Sequence, residues 1–438
     1  MADIGTTTRR GVLAGMAAAT AIGAAPAQAA RRRAMPRGFL WGAAISAHQS
    51  EGNNVHSDSW LLEQLPETVF KEPSGDACDS YHRYAQDFAI ARSLGLNCYR
   101  FGIEWARIEP EPGKFSQATL DHYSRVLDAC RAHGLLPILS YNHFTVPRWF
   151  AMRGGWEVAD SADLFARYCD RATRAFGDRI GMASPFNEAN IQLLIKVLRG
   201  LATPEYRAKR VTMIAAAARA TNSPAFSSIL FADPDRIDAN LLAAHAQAYQ
   251  AIKAGPGDFP VGVTLTTQPV ESVGQGSVAA DVEDMLYGRW WDAVNASDFV
   301  GVQAYFRFRV DAKGLMAAPE GAEMTGAGYE YYPPALGGAI RLAARKTNKP
   351  IYVTESGIGT DDDARRIAWL DASIAEVEKC QDEGIPVKSY IYWSLLDNFE
   401  WSQGYGQRFG LVSVDRHSFV RTPKPSARHF ARLIRERR

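Results

Sequence analysis

The chain has 438 residues, of which 47% are hydrophobic and 22% are charged, and its formal net charge is +1. This is the composition of a folded globular protein, and it excludes a largely disordered chain. The near-neutral balance gives no electrostatic basis for binding nucleic acid or an anionic membrane, so neither is predicted as a partner.

The first 29 residues are predicted to be a targeting segment rather than part of the fold. Arg9 and Arg10 precede a weakly apolar stretch rich in Ala and Gly, which ends in the A-x-A cleavage signal at Ala27–Ala29. The segment resembles a twin-arginine export signal of bacteria, and it is too short and too Ala-rich to span a bilayer stably. We therefore predict export by the twin-arginine route to a periplasm or beyond, leaving a catalytic domain of residues 30–438 with no membrane span.

Eight short, almost continuously apolar runs alternate with helical patterns along the rest of the chain. Such runs are typical of parallel strands that are covered on both faces, and several of the helical patterns end in Gly, as helices often do. The alternation predicts an α/β fold, a single (β/α)8 TIM barrel. The predicted strands are Phe39–Ser46, Asn97–Ile103, Leu135–Asn142, Ile180–Asn187, Pro260–Thr267, Asp298–Tyr305, Pro350–Ser356 and Val387–Ser394.

Polar and aromatic residues stand at the C-terminal ends of most of these strands, where barrels of this kind carry their active sites. Amides and carboxylates bind hydroxyl groups, and aromatic faces stack on the C–H face of a pyranose. The rim therefore predicts a site for a small carbohydrate. Its residues are Gln49, Glu51, Glu104, Asn142, His143, Asn187, Glu188, Gln303, Tyr305, Glu355 and Trp393.

Two of these carboxylates, Glu188 and Glu355, end the fourth and seventh predicted strands and should face the same cavity. A facing pair can divide acid/base and nucleophile duties in glycosidic bond cleavage, and a separation of about 5–5.5 Å would give retention of configuration. A third carboxylate, Glu104, is predicted to form a structural ion pair beside Arg107.

Neither a metal nor a cofactor is predicted. The five cysteines form no C-x-x-C pair, so no zinc or iron–sulfur signature is present. No G-x-G-x-x-G follows the first strand, so no dinucleotide fingerprint is present either. We expect the cysteines to be small apolar packing residues; they are Cys78, Cys98, Cys130, Cys169 and Cys380.

Longer stretches of the chain resemble the family-1 glycoside hydrolases, the β-glucosidase-like enzymes. The resemblance is collinear from about Phe39 to Phe430, and the block that begins at WSLLDNFEW is highly specific. It implies a β-glycosidase on a TIM barrel. The stretches are FLWGAAISAHQSEG, YRFGIEWARIEPEPGKF, YNHFTVPRW, FNEAN, YVTESG, YWSLLDNFEWSQGYGQRFGLVSVD and RTPKPSA.

The resemblance also implies a role for each matching residue. Glu355 in TESG is expected to be the nucleophile, and Glu188 in NEA the general acid and then the general base. Asn187 would bind the sugar 2-hydroxyl, while Arg100 and Tyr305 would hold the nucleophile. A neighbouring Arg favours an ionised carboxylate, and a negative neighbour keeps the second carboxyl protonated. The residues expected to frame the glycone are Gln49, His143, Trp393, Glu400 and Trp401.

Glu400 also bears on specificity. In family relatives that act on 6-phospho-sugars, the pattern at this position resembles a Ser followed by a Lys/Tyr pair that binds phosphate. A carboxylate would repel phosphate and can accept two sugar hydroxyls instead. We therefore expect a non-phosphorylated glycone.

Several positions depart from the family pattern. Ala189 stands where Pro usually follows the acid/base, which removes a rigid φ constraint, and Ser356 stands where Asn usually follows the nucleophile. The least family-like stretch, Gln192–Asn240, should wall the leaving-group side, so we predict that this stretch and Ala189 alter leaving-group preference. The other changed positions are Phe144, in place of Trp, and Gln303 and Thr266, in place of Asn.

Three alternatives remain at this point. A transglycosylase would use the same glycosyl-enzyme and an alcohol acceptor. A catalytically weak sugar-binding protein would keep the pocket, although relatives that lost catalysis typically lack one Glu. A cofactor-carrying redox enzyme would suit a twin-arginine signal, but no cofactor motif supports it.

Overall fold

Eight parallel strands form the central sheet, one within each predicted run. The computed structural model describes residues 34–199 and 203–438, and the predicted targeting segment, residues 1–29, lies outside them. The strands are β1 (Leu40–Ala44), β2 (Cys98–Gly102), β3 (Leu136–Asn142), β4 (Met182–Phe186), β5 (Val263–Thr266), β6 (Val300–Gln303), β7 (Ile351–Ser356) and β8 (Val387–Trp393).

The strands follow the order β4-β3-β2-β1-β8-β7-β6-β5, and every neighbouring pair is parallel. The two outer strands meet at a parallel bridge between Ala183 and Val261, where the amide of Gly262 donates to the carbonyl of Ala183 over 3.0 Å. The sheet therefore curls into a nearly closed barrel, and the predicted (β/α)8 fold is confirmed.

Helices connect the strands and cover the outside of the barrel. Polar caps begin several of them: Ser116 Oγ accepts from the amide of Thr119, and Thr203 Oγ1 from that of Tyr206. The helices are α1 (Ala47–Ser50), α2 (Asp58–Glu63), α3 (Ser80–Ser93), α4 (Trp105–Ile108), α5 (Gln117–Ala132), α6 (Arg148–Met152), α7 (Ser161–Phe176), α8 (Ile191–Arg199), α9 (Pro204–Ala220), α10 (Pro234–Lys253), α11 (Ala279–Asn295), α12 (Pro334–Lys346), α13 (Asp363–Asp382) and α14 (Pro425–Arg435).

Short elements decorate this frame. Single 3-10 turns lie at Gly155–Glu157, Gly177–Arg179 and Trp401–Gln403, and the last of them belongs to the barrel mouth. Small accessory strands occur at Val270–Ser272, Phe308–Asp311, Gly314–Leu315, Val412–Val414 and Arg421–Pro423.

The apolar core has two parts. The larger part lies between the strands and the helices. The smaller part takes one residue from each of several strands, including Ala44, Cys98, Ile138, Met182 and Ile391. Inward side chains of alternate strands meet in layers. This cluster therefore fills the barrel interior and closes the barrel below the C-terminal ends of its strands.

All five cysteines are buried and free, which confirms their prediction as packing residues. Among residues 34–199 and 203–438, no helix combines the length and apolar character that a membrane crossing requires.

Candidate active site

A cavity of about 460 Å³ opens at the C-terminal ends of the barrel strands. Its position agrees with the expectation for this fold. We call its deepest part the inner end, which is defined by Gln49, His143, Asn187, Glu188, Glu355, Trp393, Glu400 and Trp401. Tyr305 also lines the cavity, so each catalytic and glycone residue that the family resemblance implies, except the buried Arg100, lies on its wall.

Glu355, at the end of β7, is held by two neighbouring side chains. Nη1 of the buried Arg100 donates to its Oε1 over 2.5 Å, and the Tyr305 hydroxyl donates to its Oε2 over 2.6 Å. Burial keeps the pKa of Glu355 above its ordinary value, although the Arg100 charge and these hydrogen bonds oppose the rise. The carboxylate is therefore oriented through both oxygens, and its negative charge has a cation beside it.

Arg100 also positions Asn187, the residue before the second carboxylate. Its Nη2 donates to Asn187 Oδ1 over 2.5 Å, and Gln303 Nε2 donates to the same oxygen over 2.9 Å. With its oxygen thus occupied, Asn187 presents its amide nitrogen to the cavity. Gln303, which differs from the family pattern, thereby supports the predicted sugar ligand.

Glu188 is the second residue after β4, and within the described part of the chain no cationic side chain forms an ion pair with it as Arg100 does with Glu355. Burial raises the pKa of Glu188 to about 8, the charge of Glu355 adds to the rise, and a hydrogen bond from Thr266 opposes it. The carboxyl is thus protonated near neutral pH. The two glutamates therefore differ in surroundings as an acid and a nucleophile must.

Glu400 is the third carboxyl of the inner end. Gln49 Nε2 donates to its Oε2 over 3.1 Å and to the carbonyl of Phe399 over 2.8 Å. Burial raises the pKa of Glu400 to about 8, with the charge of Glu355 contributing. Sugar hydroxyls that donate to Glu400 would favour its ionised form.

Aromatic rings form the remaining side of the inner end. His143 stacks on Trp393, with ring centroids 5.6 Å apart, and lies nearly parallel to Trp401 at 6.4 Å. Burial lowers the pKa of His143 well below its usual range, and the Arg100 charge adds to this, so the imidazole is neutral. Within the described residues, His143 Nδ1 is buried without a hydrogen-bond partner, which leaves it available to a ligand hydroxyl.

Three non-glycine residues on the cavity wall adopt left-handed backbone geometry. Their φ angles are +42° at Glu188, +75° at Phe144 and +48° at Trp401. Such conformations cost about 1–3 kcal/mol each and cluster at functional sites. The amide of Ala189 donates to the carbonyl of Thr264 over 3.0 Å, a bond that the more usual Pro could not make.

Four predicted rim residues do not line the cavity, namely Glu51, Glu104, Asn142 and Gln303, the last of which bonds to Asn187. Asn142 holds the turn that carries His143, because its amide donates to the carbonyl of Thr145 over 2.7 Å. Glu51 accepts from Tyr123 over 3.1 Å and forms an ion pair with Arg107.

The predicted ion pair of Glu104 with Arg107 is wrong. Arg107 Nε instead lies 2.9 Å from Glu51 Oε2. Glu104 accepts hydrogen bonds from Asn54 over 2.8 Å and from Thr145 over 2.9 Å. Neutral donors satisfy the buried carboxyl because the guanidinium is already engaged by Glu51.

Sequence reasoning missed other parts of the cavity. Tyr329 lines it, and its hydroxyl is buried without a hydrogen-bond partner in the described part of the chain. It lies in a long irregular segment, where no motif marked it. Gln268 Oε1 accepts from the amide of Tyr305 over 3.0 Å, a contact between two loops that no periodicity could reveal.

The described residues bring no three His, Cys, Asp or Glu side chains together where a metal ion could be held.

Two carboxyls in unlike surroundings at the mouth of a (β/α)8 barrel define the site of a glycoside hydrolase. The sequence profile of glycosyl hydrolase family 1 matches residues 31–303 and 306–438. The chain therefore belongs to glycosyl hydrolase family 1, and it is a β-glucosidase-like glycosyl hydrolase.

Relatives agree with this assignment over nearly the whole chain. Beta-glucosidase A of Thermotoga maritima is 29% identical and aligns with 91% of this chain and 97% of its own length. The apo structure of a beta-glucosidase 1317 has a TM-score of 0.88 at 45% identity, covering 91% of this chain and 98% of that one. The Thermotoga maritima beta-glucosidase in complex with glucoimidazole has a TM-score of 0.77 at 27% identity, covering 92% and 99%.

Proposed function

We propose that this protein is a retaining, exo-acting β-glycosidase that hydrolyses β-glucosides or closely related non-phosphorylated β-glycosides. The main observation in support is that two buried carboxyls, Glu355 and Glu188, have different surroundings. Glu355 is bound by Arg100 and Tyr305, whereas burial and the charge of Glu355 raise the pKa of Glu188 to about 8. One is prepared to attack as a carboxylate, and the other to donate a proton.

In the first step, Glu355 attacks the anomeric carbon while Glu188 gives its proton to the departing oxygen. The aglycone leaves as an alcohol, and the sugar remains as an ester of Glu355. In the second step, Glu188, now ionised, takes a proton from water, and the oxygen of that water attacks the anomeric carbon. The ester bond breaks, Glu355 returns to its carboxylate, and the anomeric configuration is retained.

The inner end suits a neutral sugar. Glu188, Glu355 and Glu400 place three carboxyls there, so a phosphate would meet the charge of Glu355 and two further carboxyls that would repel it on ionising. His143 Nδ1 and the Tyr329 hydroxyl are polar atoms that a sugar can satisfy. The glucoimidazole bound by the Thermotoga maritima relative is consistent with a glucose-like occupant. Because the barrel core closes the inner end, the sugar would enter as a terminal residue.

The test is hydrolysis of a panel of aryl β-glycosides, followed by proton NMR of the sugar that forms first. We expect turnover of the β-glucoside with the β anomer appearing before mutarotation. The α anomer appearing first would overturn the retaining mechanism, and no turnover across the panel would overturn the enzymatic role.

We also propose that the protein is exported by the twin-arginine route and acts in a periplasm or outside the cell. The support is the Arg9–Arg10 pair followed by Ala27–Ala29. Expression of the full chain, with cell fractionation and N-terminal sequencing, should give a periplasmic protein that starts near Ala30. Replacement of both arginines by Lys should leave it uncleaved inside the cell, and continued export of that variant would contradict the proposal.

A further inference from the structure

The outer part of the cavity differs in chemistry from the inner end. Six apolar side chains line it, one from Ile191 and five from the segment that least resembles the family. The same segment also contributes Tyr206 and Arg210 to the lining, and the Arg210 guanidinium donates to the carbonyl of Phe231 and lies over its ring. We call the six apolar side chains the apolar wall; it comprises Ile191, Leu194, Ile195, Leu198, Leu230 and Phe231.

Helix α8 supplies four of these residues with one face. Ile191, Leu194, Ile195 and Leu198 follow the i, i+3, i+4, i+7 spacing that places side chains on one side of a helix. All four line the cavity. Ligand pockets combine apolar lining with a few polar groups that fix orientation, and the four α8 side chains supply apolar surface alone.

Two polar residues of α8, Gln192 and Lys196, bond to the neighbouring helix α10. Gln192 Nε2 donates to Asp238 over 3.2 Å, and Lys196 Nζ donates to Asp235 over 2.5 Å, both on α10. Polar side chains are thus available on this helix, but they are used against its neighbour and not on the cavity.

The wall begins at the catalytic acid and extends outward. The amide of Ile191 donates to the carbonyl of Glu188 over 2.8 Å, so α8 starts three residues after the group that protonates the leaving oxygen. From Ile191 to Leu198 the helix rises about 10 Å. Whatever is attached to that oxygen therefore lies along the apolar face.

Other residues of the cavity lining, Gln403 and Gln407, are polar. They raise the competing possibility that the aglycone is a second sugar. Gln403 Oε1 accepts from Lys71 over 2.6 Å, and Gln407 Nε2 donates to the carbonyl of Gly326 over 2.7 Å. One end of each amide is therefore already bonded. A second sugar would need hydrogen bonds on both sides, and the apolar wall offers none on its α8 face.

We propose that the apolar wall binds the aglycone and selects β-glycosides with an uncharged alkyl or aryl aglycone over those whose aglycone is a second sugar. This inference rests on the proposed β-glycosidase function. On this inference, the segment after Glu188 discriminates among leaving groups.

The first test compares kcat/KM of the purified protein for methyl, butyl, hexyl and octyl β-glucosides and for cellobiose. Burial of each methylene should raise kcat/KM about fourfold until the wall is covered, and octyl glucoside should exceed cellobiose. If the glucosides are cleaved but kcat/KM is flat along the series, or cellobiose equals the octyl compound, this inference fails alone. If no glycoside is cleaved, the proposed function fails.

The second test uses Gln at two positions of α8 that only partly pack against the core, Ile195 and Leu198. Ile195→Gln and Leu198→Gln should each reduce kcat/KM for octyl glucoside about tenfold, while that for methyl glucoside stays within about twofold. Lys196→Gln is the matched control on the other face and should change neither. An equal loss for methyl and octyl substrates, or no loss for either, would overturn the assignment.

Discussion

The inner end of the cavity and its apolar wall are built in different ways. The inner end collects residues from separate strand ends, and hydrogen bonds such as those from Arg100 to Glu355 and Asn187 fix their positions. The apolar wall comes from one contiguous segment, residues 191–231, and relies on apolar side chains. On the proposed function, reaction chemistry would be tied to the rigid barrel, and the proposed aglycone selection to a segment that can change without disturbing it.

This comparison gives a measurable distinction. Substitutions at the inner end should change kcat/KM for all alkyl glucosides by the same factor, whereas those in the wall should change its dependence on chain length.

The largest effect is expected at the carboxyl pair. Glu355→Ala should lower kcat about 10⁴-fold or more for every aglycone, because the covalent step loses its nucleophile. Glu188→Ala should be equally severe for alkyl glucosides but much milder in the first step for a dinitrophenyl glucoside, whose leaving group needs no proton. Burst kinetics on both substrates measure this, and equal losses for Glu188→Ala would contradict its role as the acid.

Glu400→Gln should lower kcat/KM about 10–100-fold, because charge-assisted hydrogen bonds to two sugar hydroxyls are replaced by weaker ones. The loss should be the same for methyl and octyl glucosides. Steady-state kinetics across the alkyl series provide the measurement. A change in the chain-length dependence would show that the two regions are not independent.

The fall of kcat/KM at high pH, the basic limb of the profile, should be caused by loss of the Glu188 proton. With a pKa of about 8 in the free protein, the proton that Glu188 donates is present below that pH, so kcat/KM should fall about tenfold per unit above it. Glu400→Gln should move this limb to lower pH, because one negative charge that raises the pKa of Glu188 is removed. A basic limb that persists unchanged in Glu188→Gln would exclude this assignment.

The smallest effect is expected for Ala189→Pro. It removes the bond from the Ala189 amide to the carbonyl of Thr264, and Pro disfavours helical backbone geometry at the preceding residue, where Glu188 has φ +42°. We expect a loss of about 1–3 kcal/mol in the free energy of unfolding and an altered ratio of aryl to alkyl turnover. Denaturant unfolding and paired kinetics measure these, and an unchanged ratio would contradict the predicted link to leaving-group preference.

Particular residues show how far sequence reasoning reached. All eight strands were predicted because parallel strands covered on both faces are almost continuously apolar. Glu188 and Glu355 were found because strand ends in a barrel share one rim. The partner predicted for Glu104 was wrong, because only the fold decides that Glu51 and not Glu104 pairs with Arg107. Tyr329 was missed because it lies in a segment without periodicity.

The order of apolar runs and the chemistry at their ends are local properties, so the amino-acid pattern alone specified the barrel, its rim and the family resemblance. The unequal surroundings of the two glutamates depend on side chains far apart in the chain: Arg100 lies 255 positions from Glu355. Likewise, the apolar face of α8 can be interpreted as a ligand-binding surface only because it lines the cavity. Periodicity identifies a buried face, but only the packed structure distinguishes a face against the core from a face against a ligand.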